Sequence, residues 1–573
     1  MSWLTLLIAP ILALTVASLA NWTWSIWKNY AAARTIGIPI RIIPFSPFNP
    51  FWTFLDRPVA SLLRRLPIIG PNNNITRFNW RGWDMEDRWQ CHREMGDAFV
   101  LVTPQYNMVQ LNDPEAIHSV FKRGAEFPRP VWVNDVLGVF GPNISCAEGQ
   151  SWKAQRRVAT RCFNEANNEI VWSEGLNLSG DMLKYWSSKT SGVKSGADDI
   201  RTFALNVLAR AGFGKSFKFV GHEEEDVAHE SGSMSYRTSL ALVLENLILI
   251  LALGPKTLSF LARYWLPAKL KLVNEAVVSF QSHMTTMYEE QKQEIAAGQK
   301  STDNNLMTLL VRASQEVASE QQAEALTESE IYGNMFTFNF AGHDTTAHSS
   351  TFSLYFLAAN PEVQEWIGEE IQQVLGDRAP HDIDYRADFP RFKRCLAVLY
   401  ETLRLYTIVP AIKWTGDRPT TLDVGDQTIN LPPKTILLPN YPSMHTDPRY
   451  WGSDSLEWQP SRWIKQTASD SGSDSATKLG AEEMDMKQRG LFLGWSEGTR
   501  DCPGKKFSQV EFVALMVGLF RHHRVDPVVD KDAGETIEAA RQRVRDLIRD
   551  DSGWVLLLQM LHPERAPLAW RKI

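Results

Sequence analysis

This sequence has few cysteines, and they are not arranged in pairs. The chain of 573 residues contains five of them, Cys91, Cys146, Cys162, Cys395 and Cys502. An odd, sparse set without paired spacing is not a disulfide framework and is typical of a reducing compartment. The sequence also lacks a CxxC pair or a cysteine–histidine cluster, so it offers no zinc site of the usual spacing.

A strong charge of either sign is also missing. The 60 basic residues against 66 acidic ones leave a formal net charge of -6. A nucleic-acid partner requires a basic surface, and the composition gives no reason to expect one, so we predict no nucleic-acid partner. Any basic docking surface must therefore be local, while the apolar fraction of 44% is sufficient for a large core.

Charged residues are absent from positions 1–27, which are dominated by Leu, Ile, Ala, Val and Trp. This stretch is long enough to cross a hydrocarbon layer of about 30 Å. Tryptophans at its end fit an interfacial belt, and the Lys and Arg residues that follow place the rest of the chain in the cytosol. A cleaved secretory signal is the alternative, but a basic n-region and a clear cleavage site are missing. We predict an uncleaved anchor over 1–27 and a proline-rich linker over 28–55.

The most informative stretch is the loop 493–504, which lies directly ahead of an apolar, helix-like run. A cysteine at the start of a helix, here Cys502, has its thiolate favoured by the helix dipole. Gly498 and Gly504 remove the Cβ atoms that would keep a flat ligand away, and Arg500 could reach a carboxylate on it. The pattern fits haem held by an axial thiolate; the alternative is a structural cysteine beside a helix cap.

This loop resembles the haem-binding signature of the cytochrome P450 family, an aromatic residue followed by Gly-x-Arg-x-Cys-x-Gly. Trp495 stands where the family usually has phenylalanine. The resemblance implies a mostly α fold with small β-sheets, the cytochrome P450 fold, over residues 56–573 after the single transmembrane helix. It also implies haem b (iron protoporphyrin IX) as the cofactor, with Cys502 as the axial ligand of its iron.

Trp152 and Arg156 are four residues apart and share a face if they lie on a helix. They resemble the Trp-x-x-x-Arg helix of the family, whose two side chains hold a haem propionate. A tryptophan packed under an exposed arginine is the alternative. The family often directs another arginine at a propionate; this chain has Lys413 and Trp414 in that region.

A capping box, Thr327 to Glu330, begins a helical pattern that continues to Asn360, which we expect to cap a new helix starting at Pro361. The middle of this rod reads Ala-Gly-His-Asp-Thr-Thr over 341–346. It resembles the oxygen-binding groove of the family, and the resemblance implies that Asp344 and Thr345 relay protons. The alternative is a polar helix face with a packing glycine. His343 is the variable position of the motif, and we predict no role for it.

Glu401 and Arg404 have the i, i+3 spacing of a helical salt bridge. Together with Arg462 they resemble the buried Glu-Arg-Arg lock of the family, although tryptophans flank Arg462 where phenylalanines are usual. Two further segments have local signatures. Alternating apolar residues over 98–111 predict a hairpin, and the Ser- and Asp-rich stretch 466–479 predicts a flexible insertion.

The resemblance implies a monooxygenase that inserts one oxygen atom of O2 into an apolar small molecule. Electrons would come from NADPH-cytochrome P450 reductase, docking on a basic surface that includes Lys153, Arg157, Lys505 and Lys506. We expect a single-pass protein of the endoplasmic reticulum membrane with a cytosolic catalytic domain. The motifs look most like filamentous-fungal members, often of secondary metabolism. The alternatives are a haem-thiolate isomerase or dehydratase that does not use O2, and a haem-binding sensor.

Overall fold

The structure is a computed structural model of the chain. It describes residues 3–66, 70, 73–130, 132, 137–222, 234–264, 267–297, 305–321, 326–379, 382–467 and 479–573. Most of the insertion predicted over 466–479 lies outside the described residues.

The described part is mostly helical. In chain order its α-helices are α1 Trp3–Arg34, α2 Pro50–Arg64, α3 Asn74–Phe78, α4 Trp83–Asp87, α5 Gln90–Met95, α6 Pro114–Lys122, α7 Gly149–Cys162, α8 Glu165–Ser187, α9 Gly196–Phe213, α10 Tyr236–Glu245, α11 Leu247–Leu253, α12 Pro255–Ala262, α13 Ala268–Ala296, α14 Leu306–Gln321, α15 Glu328–Ala359, α16 Pro361–Leu375, α17 Tyr385–Asp388, α18 Lys393–Leu405, α19 Tyr441–Met444, α20 Pro448–Trp451, α21 Lys505–Phe520 and α22 Ile537–Asp550.

The strands are short. They are β1 Ile40–Ile42, β2 Ala98–Val102, β3 Asn107–Leu111, β4 Lys413–Trp414, β5 Thr420–Val424, β6 Gln427–Leu431, β7 Ile436–Pro439, β8 Ile464–Gln466, β9 Glu482–Met484, β10 His523–Pro527, β11 Ser552–Trp554, β12 Leu558–Met560 and β13 Leu568–Lys572. The predicted hairpin over 98–111 is confirmed, because β2 and β3 pair antiparallel from Ala98 opposite Leu111 to Val102 opposite Asn107.

The chain divides into two compact units. The first comprises Met1–Pro130, Val409–Glu457 and Lys487–Asp501, and the second Val131–Ile408, Trp458–Met486 and Cys502–Ile573. The first unit contains a five-stranded sheet in the order β1-β2-β3-β7-β4, whose central strands β2 and β3 are fully buried.

Near its C-terminal end, helix α1 of the first unit is hydrogen-bonded to the turn between β2 and β3 of this sheet. Asn29 of α1 donates to the carbonyl of Thr103 at 2.8 Å and accepts from Asn107 at 2.9 Å through its own carbonyl. Strand β1 lies within the stretch 28–55 that we predict to be a linker, and it pairs parallel with β2. Within the described residues, no helix has the combined length and mean hydropathy needed to cross a membrane.

The second unit is organised around α15, which is 32 residues long. The predicted capping box is present, with Thr327 accepting from the backbone N–H of Glu330 at 3.2 Å and Glu330 accepting from that of Thr327 at 2.9 Å. Helix α16 begins at Pro361 and Asn360 is its N-cap residue, as expected, but the Asn360 side chain makes no capping hydrogen bond to α16. That side chain turns back and donates to the carbonyl of Phe356 at 2.8 Å, because the last turn of α15 leaves this carbonyl without a helical partner.

Candidate active site

Cys502 lies in the second unit, three residues before α21, and is exposed. Gly504 is the N-cap of α21. A Cβ built on it would lie 3.9 Å from the sulfur of Cys502 and 3.7 Å from the ring of Phe163. Because glycine has no side chain, this side of the sulfur is left uncovered. The buried face of α21 fixes the helix in the core.

The other cysteines have different surroundings. Cys91, Cys162 and Cys395 are buried, and burial raises the pKa of each thiol well above its ordinary value. Each of these three therefore stays a thiol, whereas a metal ligand must be a thiolate. Cys146 is partly buried, so Cys502 is the exposed cysteine of the chain.

The preceding part of the loop belongs to the first unit. Gly498 has a φ of +77°, and a Cβ built on it would lie 2.6 Å from the carbonyl oxygen of Phe121. Glu497 holds the loop through the imidazole of His118 at 2.6 Å and the backbone N–H of Gly490 at 2.9 Å. Only a glycine fits at 498, because both the backbone conformation and the contact exclude a side chain.

Trp495 and Arg500, also in this loop, are half-buried. The ring centroid of Trp495 lies 6.2 Å from that of Phe492, with the two rings edge to face, and Arg500 ends a short 3-10 helix, Gly498–Arg500. Lys413, which stands in the region where the family often has an arginine, is buried with its ammonium group 5.2 Å from the ring centroid of Phe121.

Trp152 and Arg156 lie one turn apart on α7 in the second unit, and both are half-buried. Helix α7 is tied to α15 by a buried residue between them. Gln155 accepts from the side chain of Asn334 at 2.9 Å and donates to Glu330 at 3.1 Å. These contacts fix the turn of α7 that carries Trp152 and Arg156.

The middle of α15 is accessible, although the helix on both sides of it is buried. Residues 331–340 and 346–359 are buried throughout, whereas Ala341 is exposed and Gly342, Asp344 and Thr345 are half-exposed. Thr345 donates its hydroxyl to the carbonyl of Ala341 at 2.6 Å. Accessible residues at the centre of an otherwise buried helix indicate that they line a cavity. This argues against the alternative that they are only a polar face of the helix.

Asp344 is surrounded by groups that sequence reasoning did not identify. Its Oδ1 lies 3.8 Å from Nε of Arg201 on α9 and 3.4 Å from Nδ1 of His343. Helices α9 and α15 approach closely here, because a Cβ built on Gly342 would lie 3.2 Å from the methyl groups of Leu208. Arg201 is 143 positions away in the sequence, so no local pattern could have revealed this contact.

Glu401, Arg404 and Arg462 meet in the second unit. Arg404 donates to both carboxylate oxygens of Glu401 at 2.7 Å, and Arg462 donates to one of them at 3.2 Å. The indole of Trp463 at 3.0 Å and the backbone N–H of Gln459 at 2.9 Å complete the set of donors. This buried, multiply bonded carboxylate holds α18 to the segment 459–463.

Helix α21 contributes another buried acid. Glu511 is fully buried beside the hydroxyl of Thr346 on α15, and burial raises its pKa well above the ordinary value. Burial disfavours the charged form of this carboxyl, and the side chain lies where α21 meets α15, one residue after Thr345.

The residues present fit a haem. The chain offers one exposed cysteine at the start of a core helix, a glycine that keeps its sulfur open, and an accessible stretch on a second core helix that contacts the first. A thiolate with cleared space around it is the donor that haem-thiolate proteins require. The fold and these residues together are those of a thiolate-ligated haem protein.

Comparison with known proteins identifies the family. The sequence model described as Cytochrome P450 matches residues 62–541. A cytochrome P450 monooxygenase of Arthrobotrys oligospora is 30% identical over 554 residues, covering 91% of this chain and 92% of its own. A phomenoic acid biosynthesis cluster cytochrome P450 monooxygenase of Leptosphaeria maculans is 28% identical, with 90% and 91% covered. One of Penicillium rubens is 27% identical, with 86% and 87% covered.

The chain belongs to the cytochrome P450 family. It is accordingly an oxidoreductase of the monooxygenase kind, and its cofactor is haem b. These conclusions agree with the mostly helical cytochrome P450 fold, the enzyme class and the cofactor predicted from the motifs, while the single transmembrane helix stays a prediction.

Proposed function

We propose that this enzyme inserts one oxygen atom from O2 into an apolar small molecule, using electrons from NADPH that a flavin reductase supplies. The observation that carries the proposal is the accessible stretch at the centre of α15, where Asp344 and Thr345 stand between two buried segments. An acid and a hydroxyl in such a position serve proton delivery, which oxygen chemistry needs and an isomerase or dehydratase of this class does not.

In this proposal Cys502 binds the haem iron, and Trp152 with Arg156 binds a propionate; Arg500 is a further propionate-binding candidate. Gly498, Gly504 and Trp495 form the rest of the cofactor loop. When bound, haem supplies oxygen activation, with the thiolate donating electron density to the iron.

The protein's own residues handle the protons. The hydroxyl of Thr345 donates its proton to the carbonyl of Ala341 at 2.6 Å, which leaves the lone pairs of its oxygen as hydrogen-bond acceptors. The carboxyl of Asp344 is held away from bulk water by Arg201 and His343, with the side chain only 20% exposed. A proton moving from solvent to this space would pass by Asp344 and then Thr345.

Replacing Thr345 by alanine tests this role. In the haem-loaded enzyme with its reductase, we expect the hydrogen peroxide released per NADPH consumed to rise by about tenfold or more. The reason is that a positioned general acid accelerates proton transfer by at least that factor. Thr351→Ala is the matched control, since Thr351 makes the same bond to the carbonyl of Ala347, at 2.8 Å, in the buried part of α15. Equal peroxide release by both variants would count against the relay.

The oxygen step itself is tested with isotopes. Candidate terpenoids and polyketides that shift the haem spectrum are incubated with enzyme, reductase and NADPH under labelled O2. We expect one labelled oxygen atom in the product. Product formed without O2 and NADPH would instead establish an isomerase or dehydratase, and NADPH consumption that no compound stimulates would favour a sensor.

The reductase is expected to dock on the basic surface near the cysteine loop. Lys153 and Arg157 are exposed on α7, and Lys505 and Lys506 are exposed on the first turn of α21. The ammonium group of Lys506 lies 4.2 Å from the ring centroid of Phe389. Electrostatic docking predicts that the rate of electron transfer falls as salt rises, and falls less steeply once these charges are removed.

We further propose a single-pass location in the endoplasmic reticulum membrane, with residues 1–27 as anchor and the catalytic domain, 56–573, in the cytosol. Apolar side chains are exposed along α1, for example Leu14 at 68% and Leu19 at 59%. Burying such surface is favourable by about 25 cal/mol per Å². The fungal relatives, one of them from a phomenoic acid biosynthesis cluster, favour a secondary-metabolite pathway.

A further inference from the structure

The cysteine loop and the residues just before it lie against one face of α6. Pro114, His118 and Phe121 are three or four residues apart on this helix and therefore share a face. A Cβ built on Gly490 would overlap the carbonyl of Pro114 and lie 3.2 Å from the Cβ of His118. One built on Gly498 would meet the carbonyl of Phe121. The helix and the loop thus fit together too closely for a side chain at either glycine.

One side chain in this contact bonds both to α6 and to the loop itself. Glu497 accepts through Oε1 from Nδ1 of His118 at 2.6 Å and through Oε2 from the backbone N–H of Gly490 at 2.9 Å. A carboxylate can only accept, so Nδ1 of His118 carries the hydrogen of this bond whether the imidazole is neutral or charged. The side chains of His118 and Glu497 are 29% and 19% exposed, so water screens their bond less than that of a fully exposed pair.

The residue before Glu497 has a backbone conformation that is costly for any residue with a Cβ. Ser496 has a φ of +63°, in the left-handed region. Its N–H donates to the carbonyl of Leu493 at 3.0 Å and closes a turn that carries Trp495, the aromatic residue of the haem-binding signature. The turn is also bonded at its start, where the N–H of Leu493 donates to Nε2 of His445 at 3.2 Å. Strained turns of this kind persist only where neighbouring contacts hold them.

We propose that His118 is a positioning residue for the cysteine loop. Its bond to Glu497 keeps Ser496 in the left-handed conformation, and the resulting turn keeps Trp495 and the stretch before Cys502 in the arrangement that thiolate ligation needs. This role rests on the proposed function, in which Cys502 binds the haem iron. The Gly-x-Arg-x-Cys-x-Gly pattern contains neither the histidine nor the glutamate, so it does not predict this bond.

Four substitutions separate this role from a general effect on packing. His118→Phe keeps an aromatic ring and removes the donor to Glu497, whereas His118→Asn keeps an amide N–H donor near the position of Nδ1. Ser496→Gly relieves the strain of the turn, because glycine adopts a positive φ without a steric cost. Lys434→Gly is the matched control, since Lys434 lies in the same unit with a φ of +61° and its replacement relieves the same strain away from the loop.

Hydrogen exchange of the holoenzyme, followed by mass spectrometry of peptides that cover 490–497, measures how firmly the turn is held. We expect the amides of this stretch to exchange about tenfold faster or more in His118→Phe, the factor that corresponds to one lost hydrogen bond to a charged group. His118→Asn should exchange at close to the wild-type rate. Adding Ser496→Gly to His118→Phe should slow the exchange again, and adding Lys434→Gly should not.

The effect on ligation is measured from the reduced, carbon-monoxide-bound spectrum of the same proteins. In a constant concentration of urea below the unfolding transition, the absorption typical of thiolate ligation should be lost about tenfold faster or more in His118→Phe than in the wild type. His118→Asn should lose it at the wild-type rate. Ser496→Gly should restore the spectrum of His118→Phe, whereas Lys434→Gly should leave it unstable, because only the first substitution acts on the turn.

Wild-type exchange and a wild-type rate of spectral loss in His118→Phe would overturn the proposal, and so would equal rescue by the two glycine substitutions. The role of His118 and the assignment of the iron ligand fail separately. If Cys502→Ala kept the thiolate-type spectrum of the wild type, the assigned ligand would be wrong, and the exchange rates would still decide whether His118 holds the turn.

Discussion

The indole N–H of Trp463 donates to the carboxylate of Glu401, 3.0 Å away, and both side chains are fully buried. The same carboxylate neutralises Arg404, itself 1% exposed, and accepts from Arg462. Removing a buried carboxylate with this many donors is costly, because Arg404 and Arg462 would lose the negative charge of Glu401 beside them.

We therefore expect Glu401→Gln to lower the free energy of unfolding by about 3–5 kcal/mol. Trp463→Phe removes one donor and keeps the charges, and should cost about 1–2 kcal/mol. Urea unfolding followed by tryptophan fluorescence and circular dichroism measures both changes.

The control for this pair is a solvent-exposed ion pair of the same unit. Arg549 and Asp550 lie 2.7 Å apart, with 64% and 63% of their side chains exposed. Solvent screening keeps such pairs below about 1 kcal/mol, so Asp550→Asn should change stability little. A loss in Glu401→Gln no larger than in this control would show that the buried cluster is not a stabilising lock.

A second prediction concerns the glycine of the cysteine loop. Gly498→Ala combines a left-handed backbone, at a cost of about 1–2 kcal/mol, with a Cβ 2.6 Å from the carbonyl of Phe121. Gly416→Ala is matched to it, because Gly416 lies in the same unit with a φ of +62° and nothing within 4 Å of its Cβ position. We expect lower haem content per chain in Gly498→Ala only, measured by absorbance against protein concentration. Equal haem content in the two variants would mean that the loop tolerates the contact.

The third prediction is a loss of stability in acid. Burial lowers the pKa of His92 in the first unit to about 4 and that of His348 in the second to about 3. Each histidine is neutral in the folded state and takes up a proton on unfolding below pH 6.5, so the stability is fully present above that value and decreases as the pH falls. The slope is at most about 1.4 kcal/mol per pH unit for each histidine.

The measurement is the free energy of unfolding at several pH values between 7.5 and 4. We expect His92→Gln and His348→Gln each to reduce the slope below pH 6.5 and to leave the pH dependence above pH 7 as it is in the wild type. A slope identical to that of wild type in either variant would show that the histidine in question is not buried in its neutral form.

The residues of the site differ in how far the sequence could predict them. Cys502 and its glycines form one contiguous loop, and Glu401 with Arg404 occupies one helical turn, so local chemistry was enough to propose them. Arg201 beside Asp344 could not be found in this way, because packing of α9 against α15 alone creates that contact. Likewise, β1 lies in a proline-rich stretch whose composition predicts a linker, and only its pairing with β2 makes it a strand.

The last prediction concerns the outer face of α2. Trp52 and Asp56 hold the inner face of this helix, through the carbonyl of Asn79 at 3.0 Å and through Arg81 at 3.0 Å. Phe51 and Phe54 stand on the outer face, 83% and 76% exposed. A helix with buried anchors on one side, exposed phenylalanines on the other and arginines at its end is typical of one that lies in a bilayer surface.

Phe51→Ser combined with Phe54→Ser should therefore weaken binding to vesicles of phosphatidylcholine and phosphatidylserine by about tenfold or more, from the apolar area removed from the contact. Co-sedimentation measures this, both in the full chain and after removal of residues 1–27, where the anchor no longer dominates binding. Val555→Ser with Leu556→Ser is the matched control, since these two residues are also exposed, at 44% and 40%, but lie in the second unit. An equal effect of the two pairs would show that α2 contributes nothing specific, and membrane attachment would then depend on the N-terminal segment alone.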